Sequence, residues 1–431
     1  MSSPKPILIR GGRVIDPSRG TDGVADVLLV GGRVEAVGLN IRPEEGEVET
    51  IDAAGRVVAP GLIDLHTHLR EPGNEDVENI ASGALAAAAG GFTAVCAMPN
   101  TDPVTDNQAA VGFVKARGEA ARRARVYPIG AISLGQKGQQ LAEFGEMVAA
   151  GAVAVSDDGK PVVSSHLMRT ALEYARTFGI PVADHCEDPT LTAGAAMHEG
   201  IVSTRLGLKG YPSAGEEIMV ARDIILAELT GGQVHLCHLS SRGSVELVRR
   251  AKEKGLRVTA EVCPHHFTLT HDAVEGYNTN AKMSPPLREA ADRDALRQAI
   301  ADGTIDTIAT DHAPHHYDAK EREFDDAPNG IIGLETAFGL AITELVETGL
   351  MTLPELLLRM TTAPARIFNL PGGTLVTGAP ADVVILDVGT EWVVDPREFH
   401  SKSRNTPFAG RRLKGRADLT IVGGEIVYRR S

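Results

Sequence analysis

The 431-residue sequence is poor in cysteine and aromatic residues and has no long apolar run. Its cysteines lack the dense spacing of a disulfide framework and the paired spacing of a zinc finger. No segment reaches the length of a membrane span, and the amino terminus lacks the apolar stretch of a signal peptide. We therefore expect a cytoplasmic protein with no membrane partner and with reduced, buried thiols at Cys96, Cys186, Cys237 and Cys263.

Positive charge is also in short supply. Lys and Arg number 43 against 57 Asp and Glu, which gives a formal net charge of -14. No basic stretch offers a footprint for nucleic acid, so we do not expect that class of partner. The 43% hydrophobic and 23% charged residues are typical of a globular protein rather than of a disordered chain or a coiled coil.

The two ends of the chain share one β-type pattern. Ile7 to Val14 and Val27 to Val34 are apolar strands, each broken by a glycine pair that suits a tight hairpin turn. Ala381 to Leu386 and Leu419 to Val427 repeat the pattern near the other end. We expect residues 1–54 and 370–431 to form one discontinuous β-sandwich domain.

Between these ends, apolar strands alternate with helical segments, which is the rhythm of βαβ units. The predicted helices include Val77 to Ala89, Leu167 to Phe178, Glu216 to Leu229, Val245 to Lys254 and Asp292 to Ala301. The eight predicted strands are Leu62 to Leu69, Phe92 to Met98, Val126 to Ile132, Ala152 to Ser156, Pro181 to His185, Val234 to Leu239, Val258 to Cys263 and Ile305 to Thr310. We predict an α/β fold in which residues 55–369 form a (β/α)₈ barrel of the TIM type.

Active sites of such barrels lie at the carboxyl ends of the strands, and several of these ends carry histidine or aspartate. His66 and His68 share one face of the first strand because strand side chains alternate. Imidazole and carboxylate together favour a divalent metal such as Zn²⁺, so we predict a metal site at this rim. The residues concerned are His66, His68, His185, His238 and Asp311, and the predicted fourth strand adds Asp157 and Asp158 at its end. By the same alternation, His235 faces away from His238 and either belongs to the core or faces the helices.

This set resembles the amidohydrolase superfamily, whose signature is His-x-His on strand 1, His on strands 5 and 6 and Asp on strand 8. The resemblance covers nearly the whole chain and includes a composite β-sandwich. Within the superfamily, the combined motifs are similar to those of the long-chain, type I bacterial dihydroorotases. These motifs are His68-Leu69-Arg70-Glu71-Pro72-Gly73, Met98-Pro99-Asn100-Thr101, Asp311-His312-Ala313-Pro314-His315, Gly333-Leu334-Glu335-Thr336 and Ser401-Lys402-Ser403-Arg404-Asn405-Thr406-Pro407.

The resemblance implies reversible hydrolysis of the cyclic amide of dihydroorotate to N-carbamoyl-aspartate, a step of pyrimidine biosynthesis. It implies two zinc ions per subunit, a hydroxide between them as the nucleophile, and Asp311 as general base and then general acid. One ion would be held by His66, His68, Asp158 and Asp311, and the other by Asp158, His185 and His238. Many relatives bridge the metals with a carboxylated lysine; here we favour Asp158 over Lys160, with Asp157 on the opposite face.

An anionic substrate of an acidic protein needs local positive donors. Arg70 shares the face of the two histidines, and its planar guanidinium can bind a carboxylate, although a surface ion pair with Glu71 is the alternative. The resemblance adds other residues to the substrate site: His68, Asn100, Ser284, His315, Asn329 and Gly330. Two of these depart from the family pattern, because Ser284 stands where Asn is usual and Asn329 where Phe is common.

Two other functions are compatible with these motifs. One is a dihydropyrimidinase, hydantoinase or allantoinase, although such enzymes normally carry the strand 4 lysine and lack the carboxylate clamp. The other is an inactive homologue that serves as a structural partner of aspartate transcarbamoylase, although such homologues lose metal ligands. We expect a homo-oligomer, which could also form a complex with aspartate transcarbamoylase. The charged segment from Tyr317 to Asn329 is the candidate to cover the site.

Overall fold

The computed structural model describes residues 4–43 and 47–430. Its strands are short in the middle of the chain and long at both ends. They are β1 Ile7–Asp16, β2 Thr21–Val30, β3 Arg33–Gly38, β4 Glu49–Asp52, β5 Val57–Pro60, β6 Leu62–Thr67, β7 Phe92–Ala97, β8 Arg125–Pro128, β9 Val182–Asp184, β10 Met197–His198, β11 Gly210–Tyr211, β12 Val234–Leu236, β13 Val258–Val262, β14 Thr307–Ile308, β15 Val383–Val393, β16 Arg412–Val422 and β17 Glu425–Arg429.

Helices occupy most of the connections between the central strands. They are α1 Ile80–Ala89, α2 Gln108–Ala121, α3 Phe144–Ala150, α4 Ser165–Phe178, α5 Pro189–Thr192, α6 Ile201–Leu206, α7 Ala214–Thr230, α8 Arg242–Glu253, α9 Pro264–Thr268, α10 Ala290–Asp302, α11 Tyr317–Lys320, α12 Ala337–Ala341, α13 Leu353–Met360 and α14 Thr362–Ile367. Across the described ranges, no helix is both long enough and apolar enough to cross a membrane.

All five predicted helices are confirmed, with boundaries that move by at most three residues. Two starts shift by three residues: α8 begins at Arg242 rather than Val245, and α1 begins at Ile80 rather than Val77. Asn79 causes the shift at α1: its side chain accepts a hydrogen bond from the Ser82 amide, and Ser82 Oγ accepts one from the Asn79 amide. This capping box ends the preceding loop and starts the helix at the next residue.

Strands from both ends of the chain share one eight-stranded sheet. Seven of them follow the order β17-β16-β15-β5-β1-β2-β3, and β4 pairs with β1 outside this path. One face of the sheet buries apolar side chains from distant segments, among them Ile9, Val27, Val58, Ile385 and Ile421. Burial of this shared apolar face brings the two ends of the chain together.

The prediction of a hairpin turn at the first glycine pair is wrong. β1 runs through Gly11 and Gly12 without turning, and its register against β2 shifts between Ile9 and Gly12. A Cβ on Gly12 would lie 2.6 Å from Cγ2 of Val58, so the position is closed to larger residues. The pair therefore forms a bulge. The second pair, Gly31 and Gly32, does form the turn between β2 and β3.

The central strands are parallel and follow chain order. β6, β7 and β8 form one sheet, and β9, β12, β13 and β14 form another. Parallel bridges from Val155 to Gly130 and to Val182 join the two sheets, and a parallel bridge from Thr67 to His312 joins their outer ends. The fourth predicted strand, Ala152 to Ser156, is reduced to the bridge residue Val155, and the eighth to Thr307–Ile308. The chain is thus an α/β protein whose central strands are parallel.

The interior of this parallel region is apolar, and its cysteines are free thiols. Phe92, Val182, Val234 and Ile308 pack with the inner faces of the surrounding helices in one large core cluster. All four cysteines are free and buried, which confirms the prediction for the thiols. Polar side chains gather where the strands end, and these residues form the site.

Candidate metal centre

Asp158 lies at the centre of a buried cluster of imidazoles. Its Oδ1 is 3.4 Å from His66 Nε2, 3.3 Å from His238 Nε2 and 3.6 Å from His185 Nδ1. Its Oδ2 is 3.4 Å from His68 Nε2. One carboxylate therefore faces the ring nitrogens of four histidines that come from three different strand ends.

Asp311, which follows the end of β14, completes the cluster. Its Oδ1 is 2.9 Å from His68 Nε2 and 3.4 Å from His66 Nε2. Several compact groups of potential ligands result, and two of them share Asp158. These two are His66, His68 and Asp158, and Asp158, His185 and His238. The structure thus brings together all six side chains that the sequence analysis assigned to the metal site.

Three of the histidines are oriented by an acceptor outside the cluster. His66 Nδ1 lies 2.7 Å from Glu261 Oε1, and His68 Nδ1 lies 2.8 Å from Asn100 Oδ1. His185 uses its other nitrogen, with Nε2 at 2.9 Å from Glu187 Oε2. An imidazole that donates one N–H outwards presents the lone pair of the second nitrogen inwards, which is the arrangement of metal-binding histidines.

Glu261 and Glu187 are functional residues that the sequence analysis missed. Glu261 lies in β13 and is fully buried between His66 and His235, whose Nε2 is 3.1 Å from Glu261 Oε2. A signal for Glu261 exists in the sequence, because an unpaired carboxylate inside an otherwise apolar strand needs a partner. Glu187 follows His185 by two residues, the spacing that places side chains on one face of an extended segment.

The electrostatics of the cluster favour a bound cation. Burial by itself lowers the pKa of His66, but Asp158, Asp311 and Glu261 raise it well above its usual value. Burial raises the pKa of Asp311, yet the charge on His66 and the hydrogen bond from His68 hold it at about 2. In the part of the chain that the structure describes, no Lys or Arg pairs with these carboxylates. The site is therefore an ionised, buried acid cluster that attracts positive charge.

The donor set fits a divalent metal. His66 Nε2 is buried and has no hydrogen-bond partner, although it faces both Asp158 and Asp311. A buried polar atom without a partner is costly, and a metal–nitrogen bond removes that cost. Imidazole nitrogens with carboxylate oxygens are ligands that Zn²⁺ and related metals accept. The cluster can hold such an ion.

The neighbouring candidates lie outside the cluster. Asp157 is turned away and accepts hydrogen bonds from the backbone amides of Ile132 and Ser133, so its role is structural. Lys160 is exposed, whereas Asp158 is buried. His235 is fully buried and bonds to Thr259 and Glu261, as expected for a core residue.

A cavity of about 440 Å³ opens above the cluster. Five of the predicted substrate residues line it together with His68: Arg70, Asn100, Ser284, His315 and Asn329. The alternative for Arg70, an ion pair with Glu71, is not formed, because Glu71 accepts from Arg117 Nε at 2.6 Å. Arg70 instead donates from Nε to the Pro314 carbonyl at 3.1 Å, so its guanidinium lies at the cavity wall.

Three site residues have left-handed backbone conformations. The φ angles are 60° at Arg70, 33° at His238 and 47° at Asp311. Such values are uncommon for residues with a Cβ and cost free energy, and they are typical of functional sites. They turn the chain sharply at the strand ends, so that the side chains point across the cavity mouth.

We predict that Glu261→Gln weakens metal binding by about 10- to 100-fold, the usual cost of losing a partner of a metal-binding histidine. A carboxamide has one acceptor oxygen, whereas the carboxylate of Glu261 accepts from both His66 and His235. Competition with a coloured chelator measures the affinity. Glu246→Gln, at a half-buried glutamate on α8 that lies outside the cluster, is the control and should bind metal like the parent protein. Unchanged affinity in Glu261→Gln would contradict the orienting role.

The fold has close counterparts among solved structures. The L-hydantoinase (dihydropyrimidinase) from Arthrobacter aurescens superimposes with a TM-score of 0.88 at 27% identity, covering 99% of this chain and 96% of that one. The dihydropyrimidinase from Brevibacillus agri gives a TM-score of 0.85 at 24% identity over 98% of this chain and 95% of that one. The fold and the buried His/Asp cluster thus define the class of the protein, which is an amidohydrolase.

Sequence comparison narrows this class. Residues 55–244 match the family described as Dihydro-orotase-like. Proteins named Dihydroorotase from Anaeromyxobacter dehalogenans (strain 2CP-1) and Pelotomaculum thermopropionicum are 56% and 55% identical, each with 98% of both chains covered. The Geobacter metallireducens protein of the same name is 52% identical over 98% of this chain and all of its own. The chain belongs to the dihydroorotase family.

Proposed function

We propose that the protein catalyses the reversible hydrolysis of the cyclic amide of (S)-dihydroorotate to N-carbamoyl-L-aspartate in pyrimidine biosynthesis. Relatives named Dihydroorotase at 52–56% identity over nearly the whole chain support this activity. The observation that carries it is the joint presence in one cavity of the buried His/Asp cluster and Arg70. A hydrolytic centre beside a guanidinium suits a cyclic amide that bears a carboxylate.

The proposal includes the architecture that positions this cavity. We propose that residues 55–369 form a closed (β/α)₈ barrel and that residues 1–54 and 370–431 form a β-sandwich. The parallel bridges at Val155 and between Thr67 and His312 support closure of the strand order. The sheet that contains strands from both ends supports the discontinuous second domain. The site then lies at the carboxyl-terminal mouth, where enzymes of this fold act.

Two zinc ions per subunit are part of the proposal. His66, His68, Asp158 and Asp311 would hold one, and Asp158, His185 and His238 the other. Bound metal would activate water as the nucleophile and polarise the scissile carbonyl. Asp158 is the proposed shared ligand, because its two oxygens face the rings of all four histidines.

Asp311 is the proposed proton carrier. Its carboxylate is buried, and His66 and His68 hold its pKa low, so it is ionised and ready to accept a proton from the attacking water. The amide nitrogen must gain a proton when the ring opens, and Asp311, which lines the cavity, can return the proton there. In ring closure the same carboxylate removes a proton from the carbamoyl nitrogen and delivers it to the departing hydroxyl group, which leaves as water.

The substrate carboxylate is assigned to Arg70, Asn100 and His315. These side chains share one cavity with His68, and the Arg70 guanidinium can bind a carboxylate through two parallel hydrogen bonds. Ser284 and the backbone of Asn329 and Gly330 are the proposed contacts of the ring. Ser284 has a shorter side chain than the Asn usual in the family, so it leaves more room in the cavity.

Assays of the purified protein with dihydroorotate, dihydrouracil, hydantoin and allantoin test the proposed function. We expect turnover of dihydroorotate only. Activity confined to the other three compounds would assign a dihydropyrimidinase, hydantoinase or allantoinase, and inactivity on all four would favour a non-catalytic partner of aspartate transcarbamoylase.

A matched pair of arginine variants sharpens this assay. Arg70→Met should lower kcat/KM for dihydroorotate by about 10- to 100-fold, since hydrogen bonds to charged groups contribute about 1.5–3 kcal/mol. Arg117→Met, which loses only the ion pair with Glu71, should stay close to the parent value. Equal losses in both variants would remove Arg70 from the substrate site.

Homo-oligomer formation and a complex with aspartate transcarbamoylase remain predictions from the sequence.

A further inference from the structure

We propose that Asn405 and Lys320 are positioning residues that together hold the Gly330 carbonyl and so shape the wall that receives the substrate. This inference rests on the proposed function and adds two side chains that lie outside the metal cluster. Both are buried, and each donates a hydrogen bond to this carbonyl oxygen from a different segment of the chain. Neither contacts a proposed metal ligand.

Asn405 belongs to the connector, Ser401–Pro407, which lies between β15 and β16 and far from the barrel strands in sequence. Its Nδ2 donates to the Ala313 carbonyl at 2.9 Å and to the Gly330 carbonyl at 3.1 Å. Its Oδ1 accepts from the His315 amide at 3.1 Å. One carboxamide therefore ties the loop that carries His315 to the loop that carries Asn329.

Lys320 reaches the same carbonyl from the end of α11. Its Nζ donates to the Gly330 carbonyl at 3.1 Å and to the Pro328 carbonyl at 2.8 Å. Within the described ranges it has no carboxylate partner, although it is only 4% exposed. Burial, and to a smaller extent the charge of the nearby Lys282, lowers the pKa of Lys320 to about 7. Both the ammonium and the neutral amine can donate to carbonyls, so the contact does not depend on the charge.

Gly330 leaves little room for displacement. Its φ is 152°, and a Cβ there would lie 2.6 Å from His315 Cδ2 and 2.7 Å from the Ala313 carbonyl oxygen. The preceding carbonyl, that of Asn329, accepts a hydrogen bond from His315 Nε2 at 2.7 Å. A shift of the Gly330 carbonyl therefore moves the Asn329–Gly330 backbone relative to His315. These are the groups assigned to the substrate, and not those assigned to the metals.

A purely structural role and a positioning role lead to different kinetics. Loss of general stability lowers the amount of folded enzyme and leaves KM unchanged. Loss of positioning raises KM for the substrate, while the metal cluster and Asp311 stay in place and kcat changes little. The readout is therefore the split between KM and kcat, with bound zinc measured on the same samples.

Asn405→Ala and Lys320→Met, alone and combined, test the proposal on the zinc-loaded enzyme. We expect KM for dihydroorotate to rise by about 10-fold or more in each, since small misplacements of binding groups can cost up to about 100-fold. Zinc content should equal that of the parent, and kcat should stay within about threefold. Both side chains hold one carbonyl. The KM of the combined variant should therefore rise by less than the product of the fold-increases in the two single variants.

Lys282→Met is the matched control. Its Nζ donates to the carbonyls of Phe324 and Asp325 in the same loop, so the variant also loses two hydrogen bonds from a buried lysine. KM should change by less than twofold. A KM rise equal to that of Lys320→Met would mean general loosening of the loop and would overturn the proposal.

Two further results would overturn it: an unchanged KM in the variants, or a fall in kcat together with loss of zinc. If Asn405→Ala does not fold, Lys320→Met decides alone against its control. Parent enzyme that does not act on dihydroorotate would refute the proposed function as well, whereas active parent enzyme with unaffected variants would refute only the positioning role.

Discussion

Asp311→Asn is expected to lower kcat by about 10³-fold in both reaction directions, in line with the usual contribution of general acid–base catalysis. The carboxamide keeps an oxygen near His66 and His68, so zinc should remain bound. It cannot accept and return a proton at neutral pH, so both ring opening and ring closure should lose the proposed proton carrier. Initial rates with dihydroorotate and with N-carbamoyl-aspartate, together with elemental analysis for zinc, measure the two effects separately.

The control for this variant is Asp382→Asn. Asp382 is also a buried carboxylate, but it precedes β15 and pairs with Arg125 at 2.7 Å, away from the metal cluster. The Asp382→Asn substitution should lower the Tm and leave kcat close to the parent value. Retained turnover in Asp311→Asn would contradict the role of Asp311 as proton carrier. Loss of zinc together with turnover would show that Asp311 acts only as a metal ligand.

The second large effect is expected at Asp158. Asp158→Asn should lose at least one of the two proposed metals and most of the activity, because breaking a buried charge pair costs about 3–5 kcal/mol. Four ring nitrogens face this carboxylate at 3.3 to 3.6 Å, so both halves of the cluster depend on it. Zinc content after dialysis and residual kcat/KM are the measurements.

Lys160→Met is the counterpart that decides the identity of the bridge. Lys160 is exposed and follows Asp158 by two residues. If Asp158 is the shared ligand, the methionine variant should keep its zinc and its activity within about twofold of the parent. The opposite pattern, with loss of metal in Lys160→Met and retention in Asp158→Asn, would assign a modified lysine as the bridge.

Much of the site could be predicted because the relevant signals are local. His66 and His68 are two residues apart, and the alternation of strand side chains is sufficient to place them on one face. His185, His238 and Asp311 each end an apolar run, and the rule that active sites lie at strand ends brings them together. Even where the fourth strand is reduced to Val155, Asp158 keeps its place, since the backbone of Val155 still pairs with both neighbours.

Two of the missed residues, Glu261 and Asn405, depend on contacts between distant segments. Glu261 is 195 residues from His66, and Asn405 is 90 residues from His315. No periodicity within a short window links such pairs. The first glycine pair was misread for a related reason: Gly12 packs against Val58 of β5, and only the neighbouring strands decide between a bulge and a turn.

The sequence by itself therefore determined the class of secondary structure, the strand ends that carry polar residues and most of the candidate ligands, because each is encoded over a few neighbouring residues. The tertiary structure alone decided how these residues are held. It oriented His66 and His68 through Glu261 and Asn100, and it brought Asn405 and Lys320 to one carbonyl. The physical reason is that orientation requires groups from remote segments, and these meet only when the apolar core packs.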